Sequence, residues 1–493
     1  MPTLQNRKTD FASTARLLAD RNGTMPPMDN KSPTRSPALI ETAGTPAAAP
    51  TQAPPLRRVI EVMAPEAAPA PAQAAPGIIN LGFAQPAQSL PGNVHQMWAL
   101  DPALTFLNHG SYGSAPKAVL RAQAAYRERM ERDPVRLFKY DLERLMDTTR
   151  ERVASFINVN PADLSMMRNA TYAMCTILKN HPLKAGDEVL ITDHEYGSLH
   201  NELERMRVEQ GIVVVKAAIP FPIASPQVAL DAIVSRVTSK TKLVVISHVT
   251  STSAMVLPAG AIIREMNSRG IDVLLDGAHS PGQIPTDVRA LNPTYFIGSG
   301  HKWLSGPKGS AFVYVRPDKQ HLFRPLALSA RANKVRPERA LFLRDFDYQG
   351  TDDYSAMVTL PAAIDAMGAI LPGGWPALMR HNHHMILQAR KILCGHLGSL
   401  YNLQPCVPDA MVGTMVTLKL PEPPEHLKTR PTCYDDALQD VLLDKYRIVV
   451  PIWRLMSTNE RIIRVSAQVY NTTAEYEYLA QALKTELDLE QRG

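Results

Sequence analysis

Residues 297–309 read IGSGHKWLSGPKG. An apolar run ends in small residues, a His-Lys-Trp triplet follows, and Gly-Pro-Lys-Gly closes the stretch. A lysine is easily solvated, so Lys302 at the mouth of a strand, hemmed in by Gly300, Gly306 and Gly309, reads as positioned for chemistry. The run before it is one of a series of short apolar segments bounded by turn residues: EVLITD, GIVVVKA, TKLVVISHV, DVLLDGA, TYFIGSG and AFVYVRP. Stretches of helix length, such as VALDAIVSRV and AIIREMNSRG, lie between several of them. Strands alternating with helices predict an α/β layer with a mainly parallel sheet.

Toward the N-terminus, the texture changes at Leu104, and the segment 116–157 has helical periodicity broken at Asp133-Pro134. Residues 1–95 differ, with Ala-Pro tracts such as PEAAPAPAQAAPG, and read as a disordered tail that cannot bury enough surface to offset its ordering entropy. Residues 96–370 then form a large α/β domain. Beyond it, 371–493 read as a smaller α+β domain: a helix around WPALMRHNHHMILQARKILCGHL, strands in GTMVTLKL, YRIVVPIW and RIIRVSAQV, and a closing helix. That helix places Tyr476, Leu479, Ala480, Leu483 and Leu487 on one face, with Thr472 and Glu475 as its capping box.

At 493 residues, 45% apolar and 20% charged, the chain has the composition of an ordinary globular protein. Its net charge of +6 is interspersed rather than clustered, which gives no electrostatic case for nucleic acid. Four scattered cysteines (Cys175, Cys394, Cys406 and Cys433) argue against a disulfide framework or a zinc site. No run is apolar enough for a membrane span, and no signal peptide is evident, so a cytoplasmic enzyme is expected. His381 and His384, one helical turn apart, read as a solvated helix face and not as a metal site.

Ligand sites in open α/β sheets lie at the carboxyl ends of strands. Those ends carry Asp193-His194, Ser247-His248, Asp276 and Ser299-Gly300-His301-Lys302. A lysine forms imines with carbonyls, and pyridoxal phosphate needs both such a lysine and a carboxylate on its ring nitrogen. Asp276 and Lys302, on the order of one or two interstrand spacings apart, suit those two roles. Lys308, past the Gly-Pro, is the rival amine.

LLDGAHSPGQ followed by GSGHKWLSGPKG resembles the class V aminotransferase family of fold-type I pyridoxal phosphate enzymes, which includes the cysteine desulfurases. The resemblance runs from about 104 to 485. It implies that Lys302 bonds the cofactor aldehyde, Asp276 pairs with the ring nitrogen and His279 contacts the phenolic oxygen. Ala170 and Thr171, opening a helix in RNATYAMCTIL, match the family's phosphate turn, and a helix N-terminus is a ready anion site. Ser299 and His301 match its Ser-x-His-Lys motif, and Ser251 is counted with the cofactor set. Gly350-Thr351 match a pair that the family takes from a neighbouring subunit, implying a homodimer with shared active sites. Stacking on the ring falls to His194 or Tyr196, with His194 preferred as a catalytic residue, and Arg464 matches the arginine that grips the substrate α-carboxylate.

The stretch 442–466 lacks the catalytic cysteine of the desulfurases. LNHGSYGSAP (107–116), TDHEYG and the VPI segment look more like the isopenicillin-N-epimerase-like branch. Asn108 and His109 are expected to face the substrate, with a plain helix-entry turn as the alternative. The resemblance implies attack at the α-carbon of an amino acid, ending in epimerisation, β-elimination or transamination. A non-catalytic scaffold of the same fold is the reading from another class.

Overall fold

The computed structural model describes residues 81, 83, 90, 92 and 94–492. The tail expected over 1–95 therefore falls, except for its last few positions, outside the described residues. The apolar runs form strands where the sequence predicts them. β1 (Leu164–Met167), β2 (Glu188–Thr192), β3 (Val213–Ala217), β4 (Thr241–Ser247), β5 (Asp272–Gly277), β6 (Tyr295–Ser299) and β7 (Ala311–Val315) build one sheet. Their spatial order is β1-β7-β6-β5-β4-β2-β3. From β3 to β6 every neighbouring pair is parallel, whereas β7 runs antiparallel to both β6 and β1.

Parallel pairs need crossovers, and the helices supply them. α1 (Lys117–Arg132) and α2 (Leu142–Phe156) precede the sheet; α3 (Ala170–Asn180), α4 (Gly197–Gln210), α5 (Pro226–Val234) and α6 (Ala259–Ser268) alternate with its strands. Layers on both faces explain why β6 and β7 are buried along their whole length. α1 stops at Arg132 because Pro134 cannot continue it; Asp133 instead accepts the Arg136 N–H at 2.9 Å and starts the next turn.

Beyond 371 lie α7 (Gly374–Tyr401) and a three-stranded antiparallel sheet of β8 (Met415–Lys419), β9 (Ile452–Arg454) and β10 (Arg461–Ser466), with β10 central. The closing helix α8 (Thr473–Arg492) lies against α7 and buries Tyr476, Leu479, Ala480, Leu483 and Leu487. The Thr472 N–H donates to Glu475 Oε2 at 2.7 Å, the returning half of the expected capping box. No helix among the described residues is long and apolar enough to cross a membrane.

The segment 107–116 is what brings these parts to one place. Thr105–Phe106 pairs in parallel with Ile448–Val449, which carries the following residues between β10 and the Lys302 turn. The Gly110 N–H donates to Ser466 Oγ at 3.1 Å. Gly113 holds φ +63°, and a Cβ there would stand 1.9 Å from the His301 carbonyl oxygen, so only glycine fits.

Candidate active site

Parallel register aligns the strand ends. Ser247 at the end of β4 lies opposite Asp276 in β5, and Asp276 lies opposite Ile297 in β6, just before Ser299. All three polar residues line a cavity of about 160 Å3, together with His279, His301 and Lys302. A wider hollow of about 360 Å3 beside Arg461 is farther from this chemistry, and its arginine is already paired with Asp436 and Glu490.

Lys302 Nζ lies 2.9 Å from His279 Nε2. The Trp303 indole N–H donates to Nδ1 of the same imidazole at 3.4 Å, which puts the single proton of a neutral His279 on Nε2, facing the amine. Burial, the Lys302 charge and the Arg464 charge hold the imidazole well below the ordinary histidine range. The amine is lowered to about 8, chiefly by desolvation and then by Arg464, against an opposing pull from Asp276. Burial pushes the Asp276 carboxyl up, while the Ala278 N–H (2.8 Å) and Lys302 pull it down. Lys308 instead donates to the Gly113 carbonyl at 3.0 Å and does not line the cavity.

The opposite wall of the cavity is the start of α3. Asn169 caps the helix by accepting the Tyr172 N–H at 2.8 Å, and Ala170 and Thr171 line the cavity with first-turn amides that have no acceptor within the helix. Ser299 Oγ and His301 Nδ1 are buried without a hydrogen-bond partner among the described residues. Burial, then the Lys302 charge, lowers His301 to about 4.

Tyr196 lines the cavity and leaves half its surface exposed; His194 does not line it. The Ser253 hydroxyl meets His194 Nδ1 at 2.9 Å and its Nε2 lies 2.8 Å from the Ile219 carbonyl, so both ring nitrogens are spent in the protein interior. The preference for His194 is therefore corrected in favour of Tyr196. Between them, Glu195 is fully buried and accepts from Thr192 Oγ1 (2.7 Å) and Ser247 Oγ (2.6 Å). Burial raises its carboxyl to about 7.

Arg464 is buried in β10 behind two cavity residues. Its Nη1 donates to the Ser251 carbonyl at 2.7 Å, and its Nη2 donates to Ser111 Oγ at 2.9 Å and Asn108 Oδ1 at 3.2 Å. The guanidinium lies 4.9 Å above the Trp453 ring, and among the described residues its Nε has no partner and no carboxylate pairs with it. Burial lowers it to about 10. Asn108 thus braces Arg464. His109 is also corrected: its ring is completely buried away from the cavity and contacts the Lys302 carbonyl. Gly350 and Thr351 lie outside the cavity of their own chain, where Thr351 Oγ1 is 2.9 Å from the Tyr348 hydroxyl.

Residues 106–418 match the family model described as aminotransferase class-V. The chain belongs to the class V aminotransferase family. An isopenicillin N epimerase of Amycolatopsis lactamdurans is 33% identical over 80% of this chain and 97% of that protein. A probable chloroplastic L-cysteine desulfhydrase of Arabidopsis thaliana is 26% identical over 78% of this chain and 83% of that one. Among solved structures, the cysteine desulfurase CsdA of Escherichia coli superimposes with a TM-score of 0.66 at 17% identity, covering 80% of this chain and 98% of that one. A C-DES mutant with glycine covalently linked to its pyridoxal phosphate gives 0.67 at 20%, covering 80% and 99%.

This class V chain is a pyridoxal-phosphate-dependent enzyme acting on amino acids, and the residues present fit the cofactor. The buried Ser299 Oγ and His301 Nδ1, both without partners, sit with the α3 N-terminus where a phosphate would satisfy them, and Asp276 and Lys302 supply the carboxylate and the amine. The sequence reading missed Ser111, Tyr112 and Ser198 as lining residues, and Glu195 behind Ser247. LNHGSYG and TDHEYGS contain all four, so the signal was proximity to residues already singled out.

Proposed function

We propose that this enzyme holds its substrate by the α-carboxylate at Arg464 and removes the α-proton with Lys302, with inversion at the α-carbon as the outcome. The observation that carries this reading is the guanidinium of Arg464, buried beside the cavity with neutral oxygens around it and no carboxylate partner among the described residues. A buried cation without a counterion is costly, and a substrate carboxylate would balance it. Pyridoxal phosphate, when bound, supplies the electron sink for the pair left by the departing proton. Lys302, lowered to about 8, is neutral often enough near physiological pH to take that proton. Asp276 would hold a proton on the ring nitrogen of a bound cofactor, Tyr196 would cover its ring, and His279 would fix the amine on the phenolic side.

A second reading, loss of a β-substituent with C–S cleavage, is favoured by the relatives named L-cysteine desulfhydrase. A desulfurase outcome is not favoured, because no cysteine is among the residues lining the cavity. Residues 96–370 then carry the cofactor and 371–493 contribute Arg464. A homodimer is part of the proposal, since exposed Thr351 lies outside its own cavity and is free to complete a neighbour's. We place the enzyme in the cytoplasm.

The test incubates holoenzyme with a panel of amino acids in deuterated water. Deuterium at the α-carbon with loss of optical activity supports inversion, and pyruvate with sulfide supports elimination. Absence of exchange across the panel overturns both readings. Borohydride reduction followed by peptide mapping should label position 302.

A further inference from the structure

The LNHGSYG segment places an imidazole against the backbone of the reactive lysine. His109 Nε2 lies 3.0 Å from the Lys302 carbonyl oxygen, and Nδ1 lies 2.8 Å from the Tyr470 hydroxyl. A carbonyl only accepts, so the ring proton sits on Nε2 and the Tyr470 O–H donates to Nδ1. Both nitrogens are thus assigned and the ring is neutral. Complete burial, which lowers this histidine to about 3, keeps it so. The Lys302 carbonyl also accepts the Ser305 N–H at 2.9 Å, the bond that closes the lysine turn. The His109 and Trp303 ring centroids are 5.0 Å apart, and Trp303 is the residue that orients His279.

The same contacts reach outward. Gln468, whose Oε1 accepts from Asn382 of α7 at 2.8 Å, packs its amide nitrogen 3.4 Å from His109 Nε2; both atoms carry protons, so this is a packing contact and not a hydrogen bond. Two residues along the short helix that His109 opens, Ser111 accepts from Arg464 at 2.9 Å. A single segment therefore touches the lysine turn at one end and the carboxylate-binding arginine at the other.

We propose that His109 is a positioning residue for Lys302: its Nε2–H clamps the lysine carbonyl and fixes the amine's reach relative to Arg464. The proposal rests on the reading of Lys302 as the cofactor-bearing amine. During turnover the Lys302 side chain must leave the cofactor and return, and a clamped backbone keeps that return path short. Misplacement by about 1 Å is enough to cost on the order of a hundredfold in rate.

Three holoenzyme variants test it. In H109Q the longer amide reaches the place of Nε2 and keeps the clamp; in H109N the shorter amide reaches only the place of Nδ1 and loses it; Y470F removes the far partner and leaves Nε2–H in place. H109N should lower kcat about tenfold to a hundredfold with KM nearly unchanged, and move the pH midpoint of the bound cofactor's visible band by about half a unit or more. H109Q and Y470F should stay within about threefold of the parent. Equal losses in H109N and H109Q overturn the proposal, as does a lower melting temperature in H109N with an unmoved midpoint. Should H109N fail to fold, a tenfold loss in H109Q overturns it and near-parental turnover in H109Q supports it. Borohydride labelling at position 302 separates the two claims: its absence in the parent enzyme sinks the lysine assignment itself.

Discussion

His279 Nε2 stands 2.9 Å from the Lys302 amine, and the Trp303 indole dictates which nitrogen carries the proton. The imidazole thus donates to the lone pair of a neutral amine and favours that form. In apoenzyme, reaction of Lys302 with an acylating reagent should titrate near 8, and His279→Ala should move that midpoint upward. Turnover of the H279A holoenzyme should fall by about tenfold to a thousandfold, since the proton-accepting amine loses its partner. An unmoved midpoint would place the cause in burial and the Arg464 charge without His279.

Tyr196 and His194 separate cleanly by experiment. Tyr196→Ala should weaken cofactor binding, by about 0.5–1.5 kcal/mol if the ring stacks, while Tyr196→Phe retains it. His194→Ala should leave the cofactor spectrum alone and lower stability by about 1–3 kcal/mol, because Ser253 and the Ile219 carbonyl lose their buried partner. Spectral titration with cofactor and thermal melts of the apoenzyme read the two effects.

Glu195 makes the stability of the apoenzyme fall as pH rises from 4.5 to about 7. Its carboxyl rises from 4.5 to about 7 on burial, so the folded chain binds a proton there that the unfolded chain has released. The resulting stabilisation is complete below 4.5 and is lost as pH climbs through about 7, a loss on the order of 3 kcal/mol. Glu195→Gln, which cannot ionise, should therefore show a smaller drop in melting temperature between pH 5 and pH 8. Equal drops in both proteins would refute the assignment. His109, His248 and His301, held down to about 3, 4 and 4 by burial, act in the other direction and destabilise the fold only as pH falls below the ordinary 6.5.

Thr351 tests the dimer. Mixing Lys302→Ala with Thr351→Ala subunits creates a heterodimer in which one cavity pairs an intact lysine with an intact threonine from the other chain. Activity should reappear on mixing two impaired proteins and track the heterodimer fraction by native mass spectrometry. If Thr351 served its own chain, no cavity in the mixture would be whole and activity would stay low.

Much of this was legible in the chain itself. Period and turn residues marked β2 to β7, and the expected parallel order puts Ser247, Asp276 and Ser299 on one edge. β1 escaped because LSMM is short and lacks β-branched residues, and its place is set by pairing with β7. Side-chain direction in turns was the other blind spot. His194 and Tyr196 lie two positions apart outside any strand, where no alternation says which enters the core, and the answer depends on the distant Ser253 and Ile219. His109 likewise points toward Tyr470, a partner 361 positions away.

The lone guanidinium of Arg464 has a practical consequence at the bench. With Lys302 nearby and no negative neighbour among the described residues paired with it, the resting enzyme is a small electrostatic trap, open to whatever anion the medium offers. Chloride, sulfate or acetate would then act as weak competitive inhibitors, and assays run in different buffers would disagree on KM while agreeing on kcat.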